Sequence, residues 1–60
     1  MNNIANFQPI LGELVQIKTN WNTYLARLQK SAFGGKEFRV LNRAKTVQVT
    51  TVTGWKFANN

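Results

Sequence analysis

The sequence predicts a small α+β domain. One long N-terminal amphipathic helix, with room for a break near its middle, packs on a C-terminal antiparallel β-hairpin or three-stranded meander. Three observations lead there. Apolar side chains recur every three or four positions through residues 7–28, Gly34–Gly35 then interrupts the chain, and beyond it the apolar residues alternate in twos.

The helical stripe comprises Phe7, Ile10, Leu14, Ile17, Trp21, Tyr24 and Leu28, flanked by Leu11 and Leu25, with Lys18 its one polar member. Of these ten positions nine are large and apolar, whereas among the twelve others of the window only Val15 is. Signals at the ends agree. Asn6 suits the N-cap, Pro9 the first turn and Gly34 the left-handed position after the last turn. Glu13 precedes Arg27 and Lys30, the order that the helix dipole favours. Gly12 and the run Thr19–Asn20–Trp21–Asn22–Thr23 are poor helix formers and mark the place for a break.

An alternative uses the same residues as strands. Val15 and Ile17 alternate with Gln16 and Lys18, and Tyr24, Ala26 and Leu28 alternate with Arg27 and Gln29. The whole chain then becomes a five-stranded, SH3-like β-barrel. That reading turns Leu14 and Leu25 outward, so the helix accounts for more of the apolar residues.

After the glycines, Phe38 and Val40 alternate with Glu37, Arg39 and Leu41, and Val47 and Val49 with Thr46, Gln48 and Thr50. The Thr/Val run 46–53 favours strand, and Asn42–Arg43–Ala44–Lys45 suits a hairpin connection. Trp55 and Phe57 around Lys56 make a short third strand or extension. The expected core is Leu14, Ile17, Trp21, Leu28, Phe38, Val40, Val49 and Trp55.

Size sets the next expectation. Sixty residues make one basic domain over 1–60, with frayed ends at 1–5 and 58–60. A helix from Phe7 to Phe33 would run about 40 Å. A globule of this length is about 27 Å across. The mismatch points to a homo-oligomer that covers the rest of the stripe. No basic start with an apolar run marks a signal peptide, and no apolar run approaches the length of a membrane span, so the expected location is cytoplasmic.

Composition narrows the chemistry. The chain has no His and no Cys, so disulfides, thiol redox, Cys/His zinc sites and histidine acid–base catalysis are excluded for it alone. Glu13 and Glu37 are its two acids and make a poor cation cage. Gly34–Gly35–Lys36 lacks the Lys-Ser/Thr pair and the strand–loop–helix order of a phosphate loop. No nucleophile–base pair stands out, and the expectation is a non-enzyme without cofactor or metal.

Eight Lys and Arg against two acids give a net charge of +6 and favour a polyanionic partner, DNA or RNA. Arg39 and Lys56 should share the sheet face opposite the core, with Gln48 and Thr50 between them, while Arg43 and Lys45 occupy the hairpin tip. Arg27, Lys30 and Lys36, at the helix end and in the loop after it, form a second group. Phosphate contact through these seven residues predicts binding without base selectivity. The aromatic residues could offer stacking platforms, yet all except Phe33 fall on faces assigned to the core. The alternative function is a protein-interaction module, an inhibitor, adaptor or assembly subunit, docking through its helix stripe or a sheet edge. The polar side of the stripe has too few Lys and Arg for a membrane-surface helix.

Overall fold

The computed structural model describes residues 3, 4 and 8–58. Among them there is no α-helix, and the protein is all-β. Strands β1 (Leu14–Lys18), β2 (Thr23–Lys30), β3 (Lys36–Val40) and β4 (Thr46–Gln48) are followed by a 3-10 turn (Val49–Thr51) and by β5 (Gly54–Phe57). The sheet order is β4-β3-β2-β1-β5, and every pairing is antiparallel. The first four strands form a meander, and the chain then crosses back to lay β5 against β1. This order, with a 3-10 turn before the last strand, fits the SH3-like alternative better than the α+β reading.

The long helix is overturned, and the reason can be read residue by residue. Ile17, Tyr24 and Leu28 satisfy both periodicities and cannot decide between them. Val15 and Ala26 lie off the helical stripe and are fully buried. Leu25 and Trp21 lie on it and are 45% and 79% exposed. The helical spacing arises because two strands of opposite phase meet across a turn. Inward positions are odd in β1 and even in β2, so the sequence separations across the turn mimic threes and fours.

That turn is the stretch expected to break a helix. The Thr19 hydroxyl oxygen accepts from the backbone N–H of Trp21 at 3.2 Å and of Asn22 at 3.1 Å. Thr19 N–H donates to the Asn22 carbonyl at 2.8 Å. Thr and Asn favour such local bonds over helical ones. Gly34 and Gly35, expected to end the helix, take φ of +91° and +71° in the β2–β3 turn, where a Cβ would be strained. Pro9 is buried in irregular chain, and Asn6 lies outside the described residues, as do most of the expected frayed ends.

The hairpin expected around the Asn42–Lys45 connection exists as β3 and β4, closed by Val40 N–H to the Lys45 carbonyl at 3.0 Å, with Asn42 at φ 63°. Its second strand is shorter than expected, because residues 49–51 coil into the 3-10 turn. Trp55 and Phe57 do form a strand, but it pairs with β1.

One apolar cluster fills the inside of the sheet. Val15, Ile17, Ala26, Leu28, Phe38, Val40, Val47, Val52 and Trp55 are its buried members, joined by Ile4. Trp55 meets Phe57 edge-on at 5.1 Å. Of the expected core, Leu14 and Val49 are half-buried and Trp21 faces solvent. The extents, 29 × 26 × 22 Å, contain no thin dimension, so the sheet is strongly curled round this cluster. The 40 Å stripe estimated from helical rise does not exist, and the homo-oligomer argued from it loses its ground.

The two readings separate on neighbouring leucines. Leu28→Ala should cost about 2–5 kcal/mol in urea denaturation, through lost transfer energy and a cavity. Leu25→Ala should stay within about 0.5 kcal/mol, as exposed sites do. Far-UV circular dichroism should be of β type. Equal losses at both leucines would restore the helix.

Candidate binding face of the sheet

The outer face of the sheet is set by the same register. Side chains opposite the core form rows across the strands. One row holds Gln48, Glu37 and Gln29, and the next Thr46, Arg39, Arg27 and Leu14. A third begins with Leu25, Gln16 and Lys56. Leu41 extends that row, since its N–H donates to the Leu25 carbonyl at 2.8 Å.

Arg27 and Arg39 therefore stand directly opposite one another on adjacent strands. Like charges in that position are destabilising. Among the described residues no acid pairs with either of them. Arg27 donates from Nη1 to the Gly12 carbonyl at 2.8 Å, and Arg39 has no hydrogen-bond or ion-pair partner among the described residues. The nearest acid in the register, Glu37, accepts from Gln29 Nε2 at 2.9 Å. Beside the arginine pair, Leu25 and Leu41 are 45% and 40% exposed. Arg27, Gln29, Arg39, Leu41 and Arg43 line a concavity of about 470 Å³. Guanidinium groups there could bind carboxylates or phosphates bidentately.

The expected site residues fall into three groups. Arg39 and Lys56 do share the outer face, but β2 and β1 separate their strands, a span of about 14 Å. Thr50, expected between them, lies in the 3-10 turn. Arg27 joins this group, and Arg43 borders it. Lys45 turns away, opposite the inward-facing Val40. Its ammonium donates to the Tyr24 hydroxyl at 2.9 Å and lies 4.8 Å from the ring centroid. Lys30 and Lys36 oppose one another at the β2–β3 turn, on the other face from Arg27. The register thus parts Arg27 from the two lysines grouped with it in sequence.

Sequence reasoning placed Leu41 on this face but missed the exposed Leu25 and the half-buried Leu14, both assigned to the helical stripe. The signal was present: the barrel alternative turns Leu14 and Leu25 outward. The opposition of Arg27 and Arg39 depends on a register that no local pattern reveals. Among the described residues no group of three or more acids gathers to hold a metal, and no helix is long and apolar enough to cross a membrane. Comparison with protein-family models, curated proteins and solved structures gave no match.

Tyr24 offers a spectroscopic check of this geometry. The hydrogen bond from Lys45 holds its hydroxyl below the ordinary phenol value. Desolvation opposes the shift, while the Asn22 amide and the Lys45 and Arg43 charges add to it. The lowered value stabilises the fold only as pH rises toward the ordinary tyrosine range, and at neutral pH it contributes nothing. Tyr24 is the one tyrosine of the chain, so ultraviolet titration reads it alone. Its midpoint should lie below that of free tyrosine, and Lys45→Met should raise it. An unchanged midpoint in the variant would mean that Lys45 does not hold the ring.

Proposed function

We propose that this protein is a non-enzymatic interaction module that docks a partner protein on the outer face of its sheet. The observation that supports the reading is the unrelieved Arg27–Arg39 pair beside the exposed Leu25–Leu41 pair. The core uses none of the four, and the arginines stand in an arrangement that costs stability. Arginine beside apolar contact is the composition of protein-interface centres. The complementary partner surface carries carboxylates next to apolar side chains. The helix stripe offered as a docking surface by the sequence is gone, and the sheet replaces it.

Nucleic-acid binding is the second reading, favoured by the guanidinium groups of Arg27, Arg39 and Arg43 around one concavity. Two features count against it. Lys45 is engaged with Tyr24, and leucines stand where a phosphate-tracking surface carries polar donors.

Isotope-labelled protein titrated with an acidic, leucine-containing peptide, and separately with duplex and single-stranded DNA and RNA, tests both readings. Peptide contact should move the amide signals of residues 25, 27, 39 and 41. Arg27→Gln with Arg39→Gln should weaken it about tenfold, equivalent to about 1.4 kcal/mol. Leu25→Ser should weaken it as well. Oligonucleotide binding indifferent to Leu25→Ser would select the second reading. Three phosphate contacts, through Arg27, Arg39 and Arg43, would then give a slope of log affinity against log salt near −2.7, from about −0.9 each.

A further inference from the structure

One end of the molecule, away from the outer face, gathers a different set of residues. The β2–β3 turn holds Phe33 at its tip, 99% exposed. The tip is shaped by three hydrogen bonds. Phe33 N–H donates to Ser31 Oγ at 3.3 Å, Gly34 N–H to the Ser31 carbonyl at 3.2 Å, and Ser31 N–H to the Gly35 carbonyl at 3.1 Å. A held turn therefore presents the ring to solvent. Lys30 and Lys36 flank it as a directly opposed pair.

The chain entering β1 arrives at this same end. Gly12 N–H donates to the Leu28 carbonyl at 2.8 Å, two residues before Lys30, and Glu13 N–H closes a turn onto the Ile10 carbonyl at 3.1 Å. That second turn carries Ile10 and Leu11, 72% and 42% exposed. Two adjacent turns thus hold three exposed apolar side chains beside two lysines. Scattered exposed hydrophobics carry no message, but this grouping calls for a partner.

We propose that this end of the protein docks on an anionic lipid bilayer. Ile10, Leu11 and Phe33 enter the boundary between headgroups and acyl chains, and Lys30 and Lys36 meet lipid phosphates. Charge complementarity supports this occupant, since Lys30 and Lys36 outnumber Glu13, the exposed acid of the second turn, and the whole chain carries +6. The same charge opposes a second copy of the chain. Shape supports it too. None of the five side chains lines the concavities at Arg27–Arg39, beside Tyr24 or along β4. They project from turn tips, and a fluid surface accepts projecting apolar groups without offering a matching pocket.

Vesicle co-sedimentation tests the proposal, using phosphatidylcholine alone and phosphatidylcholine mixed with phosphatidylserine. Binding is expected to the mixed vesicles at low salt and to fall with added salt. Phe33→Ser should weaken it about tenfold, from the apolar surface no longer buried. Lys30→Gln with Lys36→Gln should weaken it by about tenfold or more. Leu25→Ser, on the outer face, should leave it unchanged, so that this site and the proposed docking face stand or fall separately. Phe33 touches nothing in the core, and unchanged circular dichroism of Phe33→Ser confirms that the variant folds. Two results overturn the proposal: no binding to mixed vesicles, with single-stranded DNA binding weakened by Phe33→Ser then reassigning the site, or vesicle binding that Phe33→Ser leaves intact.

Discussion

Strand β2 is paired on both edges, and its register decides which side of its neighbours faces the core. Val15 sits across from Ala26 on one edge, and Val40 across from the same Ala26 on the other. The fully buried Ala26 is the smallest side chain of the core, in the middle of the longest strand. Slipping either neighbour by one residue would exchange inward and outward positions along that whole strand. Val15 and Ile17 would then face water, and Gln16 the apolar cluster. The Thr19-capped turn fixes one register and the Ser31–Gly35 turn the other. The outer face follows from the same constraint, because Leu25, Arg27 and Gln29 are what remain when Ala26 and Leu28 turn inward.

Part of this was legible in the sequence. The hairpin of β3 and β4, the inward Phe38 and Val40, and a final strand around Trp55 follow from period-two alternation, a local property. The N-terminal half was misread because Leu14, Trp21 and Leu25 complete a helical stripe, although none of them is needed inside. Periodicity counts apolar residues without asking whether the fold requires them. A surface that carries its own leucines therefore biases the count toward whichever period includes them. The pairing of β5 with β1 was illegible for another reason: it joins residues about forty apart, and no local spacing encodes it.

Charge behaves differently from apolar pattern. The excess of cations is plain from composition, but their grouping depends entirely on strand order. Arg27 and Arg39, twelve apart in sequence, become neighbours, as do Lys30 and Lys36. Both are like-charge pairs on the same hairpin, and its single acid, Glu37, is hydrogen-bonded to a glutamine. Small domains have little stability to spare, and like charges directly opposed on neighbouring strands work against it. An anionic partner of the kind proposed above would relieve that repulsion on binding.

The small size of the domain sharpens that trade. A chain of sixty residues can enclose few side chains, and here one cluster inside a curled sheet takes all that the fold can use. Apolar residues beyond that number must lie on the surface, so their presence alone says little. Their placement says more. Leu25 and Leu41 adjoin the paired arginines, and Phe33 stands between the paired lysines, while the inward-facing Tyr24 and Lys45 satisfy one another. Exposed apolar groups are thus joined to unrelieved charge at two places, both built on the β2–β3 hairpin. That hairpin is paired on both sides in the sheet, and Ala26 and Leu28 fix it to the core, so one register sets the position of both groups.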